Sequence, residues 1–482
     1  MVIDQIRREA SGQLDSQRRS ELGQYMTPSS IAEFMATLFS YNGSARLLDA
    51  GAGVGSLTSA FLNEALKKGT AVDADTWEID SILGDYLKNT LNEFVQHGQG
   101  KIKAHIHASD FIEDATSSIQ FDSSKRYTHA ILNPPYKKIS ASSRHRKLLR
   151  MVGIETVNLY TAFVALTVLL MKNGGEIVAI IPRSFCNGSY YRPFRNLILR
   201  TCAVRQLHLF ESRTDAFQDD EVLQENIIIH LVKGQRQGPV IVSTSHDAQF
   251  KDYQQALFDA AQIVKPDDIE QFIHIPTAAG QTKMPNLCLH TLSDIGLEVC
   301  TGPVVDFRLK EYWRDQPGDD TVPLLYPHHF SDGKLCWPKP HKKPNALQLS
   351  NDIQKWLMPR GHYVLVKRFT SKEERRRLVA HHLPYEALDA AHIGFENHWN
   401  VFHIGKHGMD EDTAKGLSTF LNSTVLDEHF RVFSGHTQVN ATDLRNMRYP
   451  SRQQLQMLGQ RAKDQPNDQA AIDRLVEELE KP

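Results

Sequence analysis

The sequence predicts an α/β fold built on a doubly wound mixed sheet, followed by a second domain of mixed α+β structure. Three observations support this prediction. Short apolar strands alternate with helix-patterned segments in the first half of the chain, a glycine-rich turn follows the first strand, and the alternation fades near residue 240. Strands separated by helices of about 10 to 15 residues are typical of a parallel, doubly wound sheet.

Apolar periodicity defines the elements of the first domain in order. A charged helix is expected over residues 1–20, and a second one over 29–38 is introduced by Pro28. The predicted strands cover residues 46–49, 71–78, 103–108, 129–132, 176–181, 204–210 and 226–232. The helices predicted between them cover residues 57–67, 82–96 and 158–171.

The length of the chain indicates more than one domain. Its 482 residues exceed the roughly 100 to 200 residues of an ordinary domain. We expect a first domain over residues 1–240, a connecting segment over 241–290, a second domain over 291–455 and a C-terminal helical segment over 456–482.

The composition excludes several classes of protein. Hydrophobic residues make up 41% and charged residues 23%, with a formal net charge of -2, as in soluble globular proteins. Five scattered cysteines without a CxxC pair predict neither disulfides nor a metal site, and we interpret His328 and His329 as structural. The N-terminus has no signal segment, and the apolar stretch 157–171 is shorter than the roughly 20 residues that span a bilayer. We expect a cytoplasmic protein with no membrane partner.

A glycine-rich segment, DAGAGVG at residues 49–55, follows the first predicted strand. Glycines at this place let the backbone turn tightly and approach a nucleotide-like ligand, although a simple strand-to-helix turn would show the same pattern. The candidate cofactor-binding residues here are Asp49, Gly51, Gly53 and Gly55.

Glu78 stands at the end of the second predicted strand. A carboxylate there is well placed to accept hydrogen bonds from two ribose hydroxyls. The alternative is a carboxylate at the start of the next helix, a role that Asp80 could take instead.

The glycine spacing GxGxG, in place of the GxGxxG of dehydrogenases, resembles the class I S-adenosylmethionine methyltransferases, which have a Rossmann-like fold. That resemblance implies S-adenosylmethionine as cofactor. It also implies that Asp110 lies near the adenine of the cofactor and that Phe111 forms an apolar wall beside it. As an alternative, Asp110 could be a solvated loop residue.

The tetrapeptide Asn133-Pro134-Pro135-Tyr136 follows a short apolar strand. An exocyclic amino group of a nucleobase is a poor nucleophile, because its lone pair is delocalised into the ring. The side-chain oxygen of Asn133 and the carbonyl of Pro134 could each accept one N–H, while the prolines stiffen the backbone. Tyr136 offers a face on which a flipped-out base can stack. A proline-rich turn is the structural alternative.

The order of these segments resembles the gamma class of amino-methyltransferases, the TaqI-like N6-adenine enzymes of bacterial restriction-modification systems. In that class a segment with a Thr-Pro pair precedes the glycine turn and closes over the methionine end of the cofactor. Residues 23–28 resemble it, so Tyr25, Thr27 and Pro28 are implied cofactor contacts. A second aromatic wall for the base is expected near Ala216 and Phe217.

The second half of the chain carries a basic segment. Between residues 339 and 377 there are 11 Lys or Arg against three acidic residues, a local excess of +8. Such a segment indicates contacts with DNA phosphates, although a solvated helix face around residues 372–377 is the alternative. Residues 434–439 resemble the closing stretch of target-recognition domains. The candidate DNA contacts are Lys342, Lys343, Lys367, Arg368, Arg375, Arg376, His436 and Gln438.

These features together predict a DNA methyltransferase that modifies N6 of adenine in double-stranded DNA, with catalysis in the first domain and target recognition in the second. A cognate restriction endonuclease is expected to be a separate protein. The tetrapeptide alone also permits methylation of cytosine N4, of bases in RNA or of glutamine in release factors. A non-catalytic DNA-binding specificity protein is the alternative from another class.

Overall fold

The computed structural model describes residues 3–13, 26–122, 126–211, 225–276, 288–331, 333–370, 374–434, 438–463 and 468–479. The chain divides into two compact units, Met1–Ala279 and Gly280–Pro482.

A nine-stranded sheet with the order β3-β2-β1-β4-β5-β7-β6-β8-β9 forms the centre of the first unit. Its strands are β1 Ser44–Ala50, β2 Ala71–Trp77, β3 Ile102–His107, β4 Tyr127–Leu132, β5 Met171–Pro182, β6 Cys202–Phe210, β7 Asn226–Lys233, β8 Val240–Ser245 and β9 Gln254–Phe258. Strands β1 to β5 are parallel to one another, whereas β7 runs antiparallel to both β5 and β6. The predicted doubly wound mixed sheet is therefore confirmed.

Helices cover both faces of this sheet. They are α1 Ile3–Gln13, α2 Ser29–Thr37, α3 Ser56–Lys67, α4 Ser81–His97, α5 Phe111–Phe121, α6 Arg144–Met151, α7 Leu159–Leu170, α8 Arg192–Thr201 and α9 Ala260–Ile263. Alternate residues of β5 face opposite layers: Ile177 and Ile181 join the core with α5, α7 and α8, whereas Ile180 joins the core with α2, α3 and α4. Burial on both faces explains why the second half of β5, residues 177–182, is wholly apolar.

The structure extends the first unit beyond the predicted boundary at residue 240. Strand β8 pairs in parallel with β6, and β9 pairs antiparallel with β8, so both strands belong to the central sheet. Residues 241–279, predicted as part of a connecting segment, are therefore part of the first unit. Val240–Ser245 has three apolar residues followed by Ser, Thr and Ser, so it lacks both the alternation and the continuous apolar run by which a strand is recognised.

The second unit contains three small sheets and five α-helices among its described residues. Its strands are β10 Glu298–Thr301, β11 Trp313–Arg314, β12 Thr321–Leu325, β13 Phe330–Ser331, β14 Lys334–Leu335, β15 Ala346–Gln348, β16 Leu357–Pro359, β17 Tyr363–Lys367, β18 Ala380–Leu383, β19 His392–Phe395 and β20 Trp399–His403. Its helices are α10 Glu411–Leu421, α11 Thr424–Phe433, α12 Ala441–Asn446, α13 Arg452–Ala462 and α14 Gln469–Glu478. This agrees with the predicted mixed α+β structure.

The sheets of the second unit have the orders β10-β20-β17-β18, β11-β15-β12-β19-β16 and β13-β14. Trp399 is fully buried and packs edge-on against Phe330 with ring centroids 5.3 Å apart. Gly416 and Gly459 allow α10 and α13 to approach closely, since a Cβ on either one would overlap the backbone of the other helix. Within the ranges described, no helix is both long and apolar enough to cross a membrane.

Candidate active site

The carboxyl ends of β1, β2, β3 and β4 surround a cavity of about 510 Å³ in the first unit. Ligand pockets usually measure roughly 300 to 1,000 Å³, and in doubly wound sheets they lie beyond the carboxyl ends of the strands. The cavity lining brings together eight of the predicted catalytic and cofactor-binding residues: Thr27, Gly51, Gly53, Glu78, Asp110, Phe111, Asn133 and Pro135.

Other predicted residues do not line this cavity. Pro28 precedes α2, and its carbonyl accepts a hydrogen bond from the Ala32 amide over 3.0 Å. Asp49, Gly55, Pro134 and Tyr136 also lie outside the lining. Tyr25 lies outside the described residues, as do Ala216 and Phe217.

The glycine turn is held to the end of the second strand. The amides of Gly51 and Ala52 both donate to the carbonyl of Trp77 over 2.9 Å. Gly53 has a φ of +58°, and a Cβ built on it would meet no atom within 4 Å. The turn therefore presents bare backbone to the cavity, and a ligand can approach it closely.

Glu78 is buried, and its carboxylate is held on both oxygens. Oε2 accepts from the Gly53 amide over 2.9 Å, and Oε1 accepts from the Asp80 amide over 2.8 Å. Burial raises the pKa of Glu78, and these backbone hydrogen bonds oppose the shift. Asp80 caps α4 by accepting from the amides of Ile82 and Leu83. The capping role that was the alternative for Glu78 thus belongs to Asp80.

Two residues that were predicted to bind the cofactor have scaffold contacts instead. Asp49 is fully buried, and its Oδ2 accepts a hydrogen bond from the Thr58 hydroxyl over 2.6 Å. Burial raises its pKa to about 7. Gly55 has a φ of +88°, and a Cβ there would lie 2.9 Å from Leu87 of α4. Both residues thus face neighbouring elements and do not line the cavity, and their direct contact with a cofactor stays a prediction.

Asp110 and His145 form an ion pair at the edge of the cavity, with Nε2 of His145 2.9 Å from Oδ2 of Asp110. Asp110 also caps α5 by accepting from the Glu113 amide over 3.1 Å. Burial tends to raise the pKa of Asp110, but the hydrogen bond and charge of His145 outweigh it and lower that pKa. The hydrogen bond to Asp110 raises the pKa of His145. His145 was not predicted, since a histidine within a basic segment carries no distinctive signal.

Aromatic side chains form the apolar side of the cavity. Phe111 packs between Trp77 and Phe163, with ring centroids 5.3 Å and 5.0 Å away, and all three line the cavity. Phe163 lies in the apolar helix α7, where its sequence pattern resembles that of any core residue. Sequence reasoning therefore had no means of identifying it.

Asn133 connects the tetrapeptide to the segment before the first strand. Its Nδ2 donates to Oγ1 of Thr27 over 2.9 Å, and both residues line the cavity. With the amide nitrogen used in this way, Oδ1 is oriented as an acceptor. Pro135 lies close to the glycine turn, because a Cβ on Gly51 would be 4.0 Å from its Cδ.

Tyr136 is half-buried beside the tetrapeptide. Its hydroxyl lies 3.0 Å from Oδ1 of Asn133 and 3.2 Å from the carbonyl of Ile180. Its ring packs edge-on against the ring of Tyr160, with the ring centroids 6.1 Å apart. In this conformation the hydroxyl of Tyr136 donates a hydrogen bond to Oδ1 of Asn133 and helps to fix the position of that oxygen.

Two of the predicted DNA contacts in the second unit have internal partners. Nζ of Lys343 lies 2.5 Å from the buried carboxylate of Asp306. Arg376 is half-buried and donates to the carbonyl of Ser423 over 2.8 Å, and burial lowers its pKa. Both charges therefore have partners within the second unit, and the role of these residues as phosphate contacts stays a prediction.

The remaining predicted contacts of the second unit are only partly brought together. Arg368 approaches Gln438 with an Nη2 to Oε1 distance of 3.4 Å, and Lys367 precedes it at the end of β17. Lys342 and Arg375 are both exposed, and they lie far from each other in the sequence. His436 lies outside the described residues.

The histidines of the second unit have structural contacts. His329 is buried, and its Nε2 lies 3.0 Å from Oδ1 of Asn345. His328 stacks on His341 with ring centroids 3.8 Å apart. In the portion of the chain that is described, no three metal-ligating side chains cluster.

Comparison with known sequences gives close relatives over the full length. The Type II methyltransferase M.BsuBI of Bacillus subtilis is 52% identical over 475 residues, which cover 96% of this chain and 94% of that protein. The Type II methyltransferase M.PstI of Providencia stuartii is 42% identical and covers 99% of this chain and 96% of its own length.

The chain belongs to the Type II methyltransferase family.

Residues 55–217 of this methyltransferase also match the family described as Eco57I restriction-modification methylase. The resemblance to restriction-modification methyltransferases is thereby confirmed. Among solved structures, the Type IIL restriction-modification enzyme MmeI in complex with DNA is similar with a TM-score of 0.59. That likeness covers 97% of this chain and 76% of MmeI at 12% identity, so it concerns the fold alone.

The residues that line the cavity of the methyltransferase suit a nucleoside cofactor. Gly53 leaves open space for close approach, Glu78 and Asp110 place carboxylates at two strand ends, and Phe111 supplies an apolar wall. A sulfonium cofactor is positively charged, so a cavity with two carboxylates suits it electrostatically. The residues present are therefore compatible with S-adenosylmethionine.

Proposed function

We propose that this methyltransferase transfers a methyl group from S-adenosylmethionine to the N6 amino group of an adenine that is flipped out of double-stranded DNA. The observation that carries this proposal is the position of Asn133. Its side chain lines the same cavity as the glycine turn, and its amide nitrogen donates to Thr27 over 2.9 Å.

The chain's own residues would act on the amino group of the base. Oδ1 of Asn133 would accept one N–H, and the carbonyl of Pro134, which stands between two residues of the cavity lining, would accept the other. These two hydrogen bonds would draw the nitrogen towards tetrahedral geometry and free its lone pair. S-adenosylmethionine, when bound, supplies an electrophilic methyl group, and the C–S bonding pair remains on sulfur as the N–C bond forms. The nitrogen then loses one proton to solvent water, because the two amide oxygens that accept its hydrogens are too weakly basic to keep a proton.

The residues that line the cavity would hold different parts of the cofactor. Glu78 and the backbone of the turn at Gly51 and Gly53 would hold the ribose and the amino-acid end. Asp110 would accept a hydrogen bond from the exocyclic amine of the cofactor adenine, and Phe111 would pack against the adenine ring. Thr27 would close the methionine end while it orients Asn133.

Double-stranded DNA as substrate is supported by the family and by MmeI, whose structure contains DNA. The second unit would recognise the target sequence, with Arg368 and Gln438 as candidate contacts because they lie together. We further propose that a cognate restriction endonuclease is a separate protein.

The test is methyl transfer from labelled S-adenosylmethionine to unmodified plasmid DNA, followed by digestion to nucleosides. Label in N6-methyladenine supports the proposal, and Asn133→Ala provides the inactive control. Label only in N4-methylcytosine, or only in RNA or protein offered in parallel, would refute it.

A further inference from the structure

The segment that follows the catalytic tetrapeptide is strongly basic. Residues 137–150 contain six Lys or Arg and no Asp or Glu. Lys137, Lys138, Arg144, Lys147 and Arg150 of this segment are exposed. It lies in the first unit, whereas the basic segment that was predicted from sequence lies in the second. We name residues 137–150 the basic rim.

The backbone of the basic rim is held in place, so its charges have defined positions. The Ile139 amide donates to the Val157 carbonyl over 2.7 Å, and the Leu159 amide donates to the Lys137 carbonyl over 2.8 Å. Ile139 is buried and lines the cavity. Lys137 and Lys138 line the same cavity and are exposed, so this stretch forms a cavity wall whose charges stand where the cavity meets solvent.

The helix α6 continues the charged surface in a regular way. Arg144, Lys147 and Arg150 recur every three residues and share one face, whereas Leu149 is buried on the other. Arg144 pairs with Glu113 over 3.0 Å, and Arg150 pairs with Glu155 over 2.9 Å. Exposed pairs of this kind contribute little stability, so phosphates can replace the carboxylates at small cost.

Lys138 and Lys147 differ from these arginines. Neither forms an ion pair with a carboxylate anywhere in the described part of the chain. The lysine charges are therefore available to an external anion.

We infer that the basic rim binds the phosphates of the DNA strand that carries the target base. The inference rests on the proposed function. A flipped-out nucleotide stays attached to its strand, so its flanking phosphates must cross the mouth of the pocket that receives the base. Lys137 directly follows the tetrapeptide, which places the start of the basic rim at that mouth. Lysines at such positions supply salt-dependent affinity without reading sequence.

The experiment compares Lys138→Gln, Lys147→Gln and the double variant with a control, Lys68→Gln/Lys101→Gln. Lys68 and Lys101 are exposed, but they precede β2 and β3 and so lie at the opposite edge of the sheet. The probe is a fluorescein-labelled duplex from the plasmid region that accepts label from the wild-type enzyme. Binding is measured by anisotropy at several salt concentrations, and cofactor affinity is measured without DNA.

Each phosphate contact contributes about 0.9 to the slope of log affinity against log salt concentration. We expect each single substitution to lower that slope by about 1 and the double substitution by about 2, with DNA affinity reduced on the order of tenfold or more. The control should keep the wild-type slope. If Lys147→Gln also keeps the wild-type slope, the inference is overturned. Failure of the proposed function would appear separately, as a wild-type enzyme that places no label in DNA.

Discussion

Nδ2 of Asn133 donates a hydrogen bond to Oγ1 of Thr27 over 2.9 Å, across 106 residues of sequence. This contact connects the segment before the first strand to the tetrapeptide after the fourth. It orients the oxygen of the Asn133 amide as an acceptor, and although Tyr136 donates to that oxygen, its second lone pair can accept a substrate N–H. Thr27 is therefore a positioning residue for Asn133 as well as part of the cavity wall.

Replacing Thr27 by Val should slow methyl transfer without unfolding the protein. The substitution keeps the shape of the side chain but removes the partner of the Asn133 amide, and one such hydrogen bond contributes about 1 kcal/mol. We expect the single-turnover rate to fall about fivefold to tenfold. Thr27→Ser keeps the hydroxyl and should retain most of the rate. Equal rates for the Val and Ser variants would contradict the positioning role.

Replacing Asn133 by Ala should abolish nearly all transfer. The substitution removes an acceptor aimed at the group that reacts, and loss of such a preorganised group costs on the order of 100-fold to 1,000-fold in rate. Cofactor affinity, measured by calorimetry in the absence of DNA, should remain close to that of the wild type. Substantial residual turnover in the labelled-cofactor assay would show that Asn133 does not have its assigned role.

Alanine substitutions at Gly53 and Gly55 should have different effects. At Gly55 the φ of +88° and the nearby Leu87 make a Cβ strained, so we expect the protein to lose about 1 to 3 kcal/mol of stability and to keep its cofactor affinity. At Gly53 the φ of +58° also strains an alanine, but the new methyl group would in addition enter open space at the cavity, so we expect cofactor affinity to fall at least about tenfold. Thermal melting and calorimetry measure the two effects. Loss of cofactor affinity in Gly55→Ala with unchanged stability would contradict this assignment.

The Asp110–His145 pair should make stability depend on pH. The pKa of His145 is raised above 6.5. The stability that its protonated ring contributes is therefore fully present below pH 6.5 and is lost as pH rises through the raised pKa. The pKa of Asp110 is lowered below 3.8. The stability that its ionised carboxylate contributes is therefore present above pH 3.8 and is lost as pH falls through the lowered pKa. We expect wild type to melt at a higher temperature than His145→Gln in mildly acidic buffer, with the difference shrinking at alkaline pH.

Asp110→Asn provides the control for this prediction. In that background His145 has no carboxylate partner at residue 110, so adding His145→Gln should change the melting temperature little at any pH. A difference between wild type and His145→Gln that stays constant from about pH 5.5 to about pH 8.5 would show that ionisation of the pair is not its cause.

The local patterns of the first unit were sufficient to predict its main elements. The strand that ends at the glycine turn, the helix after it and the strand before Asn133 all appear within a few residues of the predicted bounds. Helix α6 was not predicted, because the sequence RHRKLLRM offers only a narrow apolar face. The additional strands β8 and β9 were also absent from the prediction.

Site residues were predictable where a motif reports directly on backbone geometry or chemistry. Gly53, Glu78 and Asn133 are of this kind, and all three line the cavity. Phe163 and His145 also line it, but one lies in a uniformly apolar helix and the other in a basic segment. In the second unit, charge density suggested Lys343 as a phosphate contact, although its partner is the buried Asp306.

The sequence by itself determined the class of fold, the order of the cofactor turn and the catalytic tetrapeptide, and the kind of chemistry that the tetrapeptide permits. These follow from short-range patterns, because apolar periodicity, glycine at positive φ and proline rigidity act within a few residues. Only the tertiary structure decided which side chains meet. Thr27 contacts Asn133, His145 contacts Asp110 and Lys343 contacts Asp306 because packing within each unit brings distant segments together. Such a partner is not encoded in a local pattern.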